Sequence, residues 1–366
     1  CADDGRDAGR GSAAARAHEQ ALREGLARCT PPAPAGRWGS CLRSTDPSGR
    51  TTLQRIEMEE NIALFDVCTV VFHDHRPEVF LCACGARDFD PMVRTAAEGV
   101  IPTFRVSPAD ARLELVHKTA TDEVPQTLRA FQGRLLAGCG SVLRLYDLGR
   151  RQLLRKCENK LAFASPIVSL HCQGDRIVVG EALGSFTFCH YRKEENVFAV
   201  VADDPVPRVL TCSAQLDYDT VIGADKFGNV FVEQMPPCVG EDVEDDPTGG
   251  ALLGLEKGFL NGARSKLDLK CNFYLGDVVT SLSRTSFVPG GDELVIYTTV
   301  SGAIGCLVPI RTKTDAEFFQ LFEMQMRNAI TPLTGRDHFA YRSYYTCVKV
   351  FLLFFFFSSF LLFHLF

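Results

Sequence analysis

Residues 290–310, GGDELVIYTTVSGAIGCLVPI, contain the pattern that decides the fold of this chain. Two apolar runs, 294–299 and 303–309, are rich in β-branched and aromatic residues, and a short join containing Gly302 separates them. Runs of this kind around a glycine-containing join predict a β-hairpin. Residues 217–235 repeat the form. The repetition favours an array of small sheets over an enzyme with a single catalytic cleft.

Further predicted strands along the chain fall into five groups. The groups are 64–72, 79–83, 100–106 and 113–118; 124–131, 134–138, 142–147 and 152–157; 167–172, 176–180, 185–191 and 197–202; 208–214, 220–224, 229–235 and 267–275; and 278–287, 294–299 and 303–309, whose fourth strand is not evident. The second strands of groups two, three and four begin at 134, 176 and 220, so they lie 42 and 44 residues apart. Blades of a four-stranded propeller repeat every 40–45 residues or so.

Two more predicted strands, 37–43 and 52–56, precede these groups and fit the outer strands of another blade. We therefore expect an all-β fold, a β-propeller over residues 37–312 that is truncated to about five complete blades plus part of another. Residues 313–345 are predicted to contain a short helix, 315–327, and a segment that closes the propeller, because apolar residues recur there at helical spacing.

The first part of the chain, residues 1–36, differs from the rest in composition. It is rich in Ala, Gly and Arg and ends in a cluster of prolines, which predicts a disordered region or linker. Its five acidic residues argue against the alternative of a transit peptide. Because the chain begins at Cys1, we expect it to be a fragment.

The last part, residues 346–366, is a Phe/Leu-rich tail that includes VFLLFFFFSSFLLFHLF at 350–366. Its length approaches the roughly 18–20 residues of a membrane span, so a tail anchor is one interpretation. The interpretation we favour is aberrant translation, because pyrimidine-rich codons encode Phe, Leu and Ser, and natural spans mix in other apolar residues. On this interpretation no membrane partner is expected.

Bulk composition narrows the classes of function. The net charge of −6 and pI near 5.8 argue against broad electrostatic capture of nucleic acid, which needs a basic surface. The 15 cysteines are an odd number and are scattered singly, apart from one Cys-x-Cys pair. This pattern favours free, buried cysteines in a reducing compartment over a disulfide framework.

The strongest metal candidate is the pair His73 and His75 followed by Cys82 and Cys84. Histidine and cysteine suit zinc, and alternate residues on a strand share a face. However, all four ligands would have to converge, and the histidines are predicted to lie in a turn between two strands. The cysteines fit positions that point into the core. We therefore assign no metal and no cofactor.

Three other patterns have simpler structural interpretations. Asp337-His338 suggests a catalytic dyad, but adjacent residues rarely face each other productively and no nucleophile has a positional signature, so no catalytic residue is assigned. The acidic run 241–246 fits a solvated loop or a contact for a basic partner. A basic cluster lacks the interleaved aromatics of an RNA-binding platform, which favours a solvated strand edge: Arg150, Arg151, Arg155 and Lys156.

Five sequence blocks carry a resemblance to a known family. They are LLRKCENK (153–160), DYDTVIGADKFGNVFV (217–232), EDDPTGG (244–250), LVIYTTVSGAIGCLVP (294–309) and PLTGRDHFAYRSYY (332–345). The blocks resemble the family formed by the third subunit of splicing factor 3b and the large subunits of damaged-DNA-binding protein and of the cleavage and polyadenylation specificity factor. Residues 225–229 and 335–338 fit the splicing branch best.

The resemblance covers about residues 36–345 and implies most of the third of three seven-bladed propellers. The family continues into a helical domain where this chain departs after Tyr345, and the departure supports aberrant translation of the tail. The implied role is a nuclear, non-enzymatic scaffold of the splicing factor 3b complex in the U2 small nuclear ribonucleoprotein. It would support branch-site recognition through contacts with other splicing factor 3b subunits, with indirect or weak RNA contact and no small-molecule substrate. The alternative, from the damaged-DNA-binding relatives, is a propeller adaptor of a cullin ubiquitin ligase.

The candidate site residues lie in two of these blocks, which we expect to form partner-facing loops. They are Asp225, Lys226, Phe227, Gly228 and Asn229, and Gly335, Arg336, Asp337 and His338. In the first loop, a tight turn alone explains a glycine that supplies positive φ and flanking side chains that form hydrogen bonds. Recognition of a partner at the propeller rim is the functional interpretation.

Overall fold

The computed structural model describes residues 39–329 and 360–364. Within the first range it omits 47, 49–50, 59–61, 90–95, 109, 111, 160–162, 240–262, 264 and 311. The predicted loop at 335–338, the linker at 1–36 and the acidic run at 241–246 therefore lie outside the described residues.

The described residues form an all-β architecture of the propeller type, as the sequence predicts, together with one long helix. A two-stranded sheet of β1 (Cys41–Asp46) and β2 (Thr51–Glu57) comes first. Five sheets follow, which we number blades 1 to 5.

The strand bounds follow chain order. Blade 1 has β3 (Ile62–Val70), β4 (Phe80–Arg87), β5 (Glu98–Val106) and β6 (Leu113–Thr121). Blade 2 has β7 (Pro125–Phe131), β8 (Arg134–Cys139), β9 (Val142–Asp147) and β10 (Leu154–Asn159). Blade 3 has β11 (Ile167–Gln173), β12 (Arg176–Glu181), β13 (Phe186–Arg192) and β14 (Val197–Asp203), and β18 (Ser265–Lys266) joins its edge. Blade 4 has β15 (Leu210–Gln215), β16 (Thr220–Asp225), β17 (Asn229–Gln234) and β19 (Asp268–Tyr274). Blade 5 has β20 (Val279–Thr285), β21 (Leu294–Thr299), β22 (Ile304–Pro309) and β23 (Phe360–His364).

Packing of one sheet on the next explains why the second strands read as apolar runs. Every residue of β12 and of β16 is buried, whereas the outer strand β10 is half exposed. A strand covered on both faces needs apolar or small residues throughout, while an outer strand alternates. Shared cores join blades 2 and 3, blades 3 and 4, and blades 4 and 5, with Ile177, Phe231 and Tyr297 among their buried members.

Blade 5 differs from its sequence-based description in its fourth strand. The Phe/Leu-rich tail supplies β23, which pairs antiparallel with β22 from Gly305 opposite His364 to Pro309 opposite Phe360. A strand in this place satisfies backbone groups that an open sheet edge would leave unpaired. The origin of the tail in aberrant translation stays a prediction.

The chain divides into two compact units. One comprises residues 1–67 and 78–125, and the other comprises 68–77 and 126–366. The first unit has its own core, in which Leu42 packs with Ala83 and Phe104. The second contains the shared cores of blades 2 to 5, and every residue of the candidate site described below.

The predicted helix at 315–327 is confirmed and runs from Lys313 to Ala329; we label it α1. Thr312 caps its start, since the N–H of Asp315 donates to the Thr312 hydroxyl oxygen (3.1 Å). Phe318, Leu321 and Phe322 on its surface are each more than half exposed. A role of this segment in closing the propeller stays a prediction. Among the described residues, α1 included, no helix combines the length and the apolar character that crossing a bilayer requires.

Candidate protein-interaction rim

The turn from Asp225 to Asn229 joins the second and third strands of blade 4. The Asp225 carboxylate, 2% exposed, accepts hydrogen bonds from the backbone N–H of Phe227 (2.8 Å) and of Asn229 (2.9 Å) on Oδ1. Its Oδ2 accepts a third from the Asn229 amide (2.7 Å). Gly228 has φ of +88°, a conformation that side chains disfavour. Asp225, Gly228 and Asn229 thus build the turn, as the pattern predicts.

The two remaining residues of the turn face outward. Lys226 is exposed, and Phe227 leaves 36% of its surface in solvent. The backbone of Lys226 is nevertheless held, because its N–H donates to the carbonyl of Val209 (2.8 Å) at the entrance to blade 4. The turn therefore presents two side chains from a rigid frame, which suits recognition of a partner.

Replacing Asp225 with alanine should lower the free energy of unfolding by about 2 kcal/mol, because buried donors lose a charged acceptor. Asp225→Asn should lose less, since its Oδ1 still accepts the two backbone hydrogen bonds. Urea unfolding of both variants followed by circular dichroism measures the difference. Equal losses in the two variants would contradict this account of the turn.

Corresponding turns in blades 3 and 5 lie between the same two strands of each sheet. In blade 3, Glu181 ends β12 as Asp225 ends β16, and its Oε2 accepts hydrogen bonds from the N–H of Ala164 (3.1 Å) and of Ser165 (3.0 Å). In blade 5 the carboxylate comes from outside the turn. Asp277, just before β20, accepts a hydrogen bond from the hydroxyl of Ser301, which lies in the turn between β21 and β22. That bond, and then one from Thr299, lower the pKa of Asp277 to about 2. Each of these carboxylates therefore serves the loop structure.

Backbone hydrogen bonds tie these turns to the connecting segments between blades 3, 4 and 5. The N–H of Arg208 donates to the carbonyl of Gly184 (2.9 Å), and the N–H of Leu275 donates to that of Gly228 (2.8 Å). In each case a turn is tied to the segment that leads into the next blade. A Cβ atom on Gly228 would lie 3.1 Å from the backbone nitrogen of Asp277, so the turn of blade 4 also touches the entrance to blade 5.

These turns and the segments beside them expose apolar side chains from each of the three blades. We call this set the apolar rim: Leu183, Val206, Phe227, Val300 and Ile304. Leu183, Val300 and Ile304 are each more than 60% exposed. Because the neighbouring carboxylates are engaged in loop structure, the rim offers apolar contact area with a cation at Lys226. An apolar surface of this kind, rimmed by polar residues, is typical of a protein contact.

Sequence reasoning found Phe227 but missed the other members of the rim. The signal was present in the turns themselves, since Leu183-Gly184 in blade 3 stands where Phe227-Gly228 stands in blade 4. Superimposing the repeats on their turn glycines would have revealed it. The exposed apolar side chains form a candidate surface only once the structure shows that consecutive turns are neighbours.

The residues considered as zinc ligands and rejected on sequence grounds occupy ordinary structural positions. His73 to His75 form an exposed 3-10 turn. Cys82 and Cys84 are fully buried in β4, and the Cys82 thiol lies 3.9 Å from the Thr103 hydroxyl. Within the part of the chain that the structure describes, no group of three or more His, Cys, Asp or Glu residues is placed to hold a metal ion.

The basic cluster is partly neutralised by neighbouring carboxylates. Arg155 lies 3.0 Å from Glu158, and Lys156 lies 3.9 Å from Asp147. Both pairs are on or beside the outer strand of blade 2, as the interpretation of a solvated strand edge predicts. This arrangement gives no separate support to an RNA contact.

Comparison with known proteins identifies relatives over most of the chain. It is 47% identical over 321 residues to spliceosome-associated protein 130 A of Arabidopsis thaliana. It is 42% identical over 319 residues to splicing factor 3B subunit 3 of Danio rerio, and 44% identical over 317 residues to pre-mRNA-splicing factor RSE1 of Mycosarcoma maydis. Each alignment covers 87% of this chain and 26% of the relative, so the chain spans about a quarter of these proteins.

The family model that describes the CPSF A subunit region matches residues 39–361. This range includes blades 1 to 4, the first three strands of blade 5, the apolar rim and α1. The resemblance inferred from the five sequence blocks is thereby confirmed, and the chain belongs to the CPSF A subunit region family.

Proposed function

We propose that this chain provides a non-enzymatic scaffold surface in the splicing factor 3b complex of the U2 small nuclear ribonucleoprotein. It would act in the nucleus and support branch-site recognition through contacts with other subunits, with RNA contact indirect or weak. The names of the similar proteins from plant, fish and fungus support a role in splicing.

The apolar rim is the observation that carries the proposal. Three consecutive blades contribute exposed apolar side chains, and backbone hydrogen bonds tie the turns of blades 3 and 4 to the segments that lead into the next blade. A preorganised apolar surface loses little conformational entropy when a partner binds. The nearby carboxylates of Glu181, Asp225 and Asp277 are engaged internally, so they do not offer the convergent, free chemistry of a catalytic site.

Capture from nuclear extract with the tagged 366-residue chain tests this function. The double variant Leu183→Ser with Phe227→Ser should retain at least about tenfold less of the splicing factor 3b subunits, because central apolar anchors dominate interface energies. Phe287→Ser is the matched control, since Phe287 is 68% exposed in the turn between the first and second strands of blade 5. It should retain as much as the parent chain.

Quantitative mass spectrometry of the captured proteins decides between outcomes. Failure of the parent chain to retain these subunits, or equal retention by the double variant, would contradict the proposal. Retention of a cullin in their place would favour the ubiquitin-ligase adaptor. Thermal unfolding of all three proteins checks that each is folded; Leu183 and Phe287 are more than 60% exposed, whereas replacement of the less exposed Phe227 should lower the Tm of the double variant modestly.

A further inference from the structure

A buried charged cluster lies at the junction of blades 3 and 4, behind the apolar rim. The Arg208 Nε atom is 3.0 Å from Asp204 Oδ2 and 3.1 Å from Glu233 Oε1. All three side chains are buried, with exposed fractions of 8% for Arg208, 7% for Asp204 and 1% for Glu233. One guanidinium therefore faces two carboxyl groups out of contact with water.

Among the residues that the structure describes, Arg208 is the one cation paired with Asp204 and Glu233. The Arg208 guanidinium carbon lies 4.1 Å from the centre of the Phe231 ring, and the Ser185 hydroxyl lies 3.5 Å from Glu233 Oε1. The carboxylate of the preceding residue, Asp203, is itself paired with Lys266 (2.5 Å). With both acids ionised, the site would hold a net negative charge in a region of low dielectric, which is strongly unfavourable.

The second carboxyl oxygen of Glu233 gives independent evidence on the protonation state. Oε2 is fully buried and receives no hydrogen bond from any donor of the described residues. An ionised carboxylate oxygen that is buried without a donor is unfavourable, because it loses its hydrogen bonds to water and gains none from the protein. A protonated Glu233 becomes a donor, and the Asp204 carboxylate lies within hydrogen-bond reach of its carboxyl group.

We propose that Glu233 is a carboxylic acid in the folded chain and shares its proton with Asp204, so that the junction of blades 3 and 4 takes up one proton on folding. The proposal is independent of the function inferred above. Burial first, and then the charge of Asp204, raise the pKa of Glu233 well above its ordinary value. Although burial opposes it, the hydrogen bond from Glu233 and the charge of Arg208 keep the pKa of Asp204 below its ordinary value.

The proton matters for the rim because the cluster is joined directly to the turns. The backbone of Arg208 donates to Gly184 in blade 3, and the carbonyl of the next residue, Val209, accepts from Lys226 in blade 4. Ionisation of Glu233 would place two negative carboxylates beside one guanidinium beneath these bonds. The junction of blades 3 and 4 is therefore most stable while Glu233 is protonated.

Urea unfolding of the 366-residue chain between pH 5 and pH 8 tests the proposal. The folded state binds the proton more tightly than the unfolded state, whose Glu233 has a pKa near 4.5. Glu233 should therefore increase the equilibrium constant of unfolding by up to tenfold per pH unit as the pH rises above that value. Glu233→Gln mimics the neutral acid and should remove this part of the pH dependence. Glu293→Gln, at an exposed ion pair with Arg284, should leave it unchanged.

A carbon-13 NMR titration of side-chain carboxyls provides the second measurement, which needs only the folded parent chain for its main result. One Glu resonance should stay at the protonated position at pH 6 and be missing from the Glu233→Gln spectrum. Parallel pH profiles for the parent and Glu233→Gln, or ionisation of every Glu carboxyl by pH 5.5, would overturn the proposal.

Discussion

Arg208→Ala is expected to lower the free energy of unfolding by about 3–5 kcal/mol at neutral pH, the range for breaking a buried ion pair by removing one partner. The substitution leaves the Asp204 carboxylate, 7% exposed, without its cation, and it also removes the guanidinium from the face of the Phe231 ring. The loss should be measurable by urea unfolding monitored by circular dichroism. A chain with a typical stability of about 5–15 kcal/mol would lose a large part of it.

Lys270→Ala is the matched control for a lost ion pair. Lys270 lies 3.2 Å from Asp268, but both side chains are more than a third exposed. Exposed pairs of this kind contribute about 0–1 kcal/mol, because water solvates each charge when the other is removed. Similar losses for Arg208→Ala and Lys270→Ala would mean that the cluster at the junction is solvated, contrary to its burial.

Gly85→Ala is expected to cost about 3 kcal/mol through overpacking of blade 1. A Cβ atom at Gly85 would lie 2.1 Å from the carbonyl oxygen of Ala63 on the neighbouring strand. The obstacle is backbone, so the strand itself must move, and the hydrogen bonds of the sheet would be strained with it. Thermal unfolding of the variant should show a clear fall in Tm.

Gly39→Ala is the control that tests whether steric overlap of the new Cβ causes the loss at Gly85. No atom lies within 4 Å of the Cβ position at Gly39, so the change should stay within about 0.5 kcal/mol of the parent. If Gly85→Ala were equally neutral, the close approach of β3 and β4 would be wrong.

The strands were largely predictable because their signals are local. The predicted strand at 142–147 coincides with β9. Gly133 (φ +73°) and Gly174 (φ +61°) lie in the gaps between the predicted first and second strands of blades 2 and 3. The strand predicted at 79–83 is shorter than β4, which runs from Phe80 to Arg87. Cys84, Gly85 and Ala86 have weak β-propensity, and the packing of neighbouring strands extends the sheet through them.

The candidate site was predictable only in its turn. Asp225, Gly228 and Asn229 act within five residues of one another, so their spacing reveals their structural role. The partner-facing role of Lys226 and Phe227 stays a prediction, as does that of Gly335 to His338, which lie outside the described residues. The apolar rim required knowledge of which turns are neighbours.

Local alternation, turn glycines and the repeat length suffice to establish an array of antiparallel blades, because these properties act over a few residues. The packing of one blade on the next determines the contacts between residues that are distant in the sequence. It brings Glu233 to Arg208 across 25 residues and Ser301 to Asp277 across 24. Burial and the charge of Asp204 then raise the pKa of Glu233, whereas hydrogen bonds from Ser301 and Thr299 lower the pKa of Asp277. A carboxyl group responds to the dielectric, the charges and the donors around it, and no local pattern encodes those.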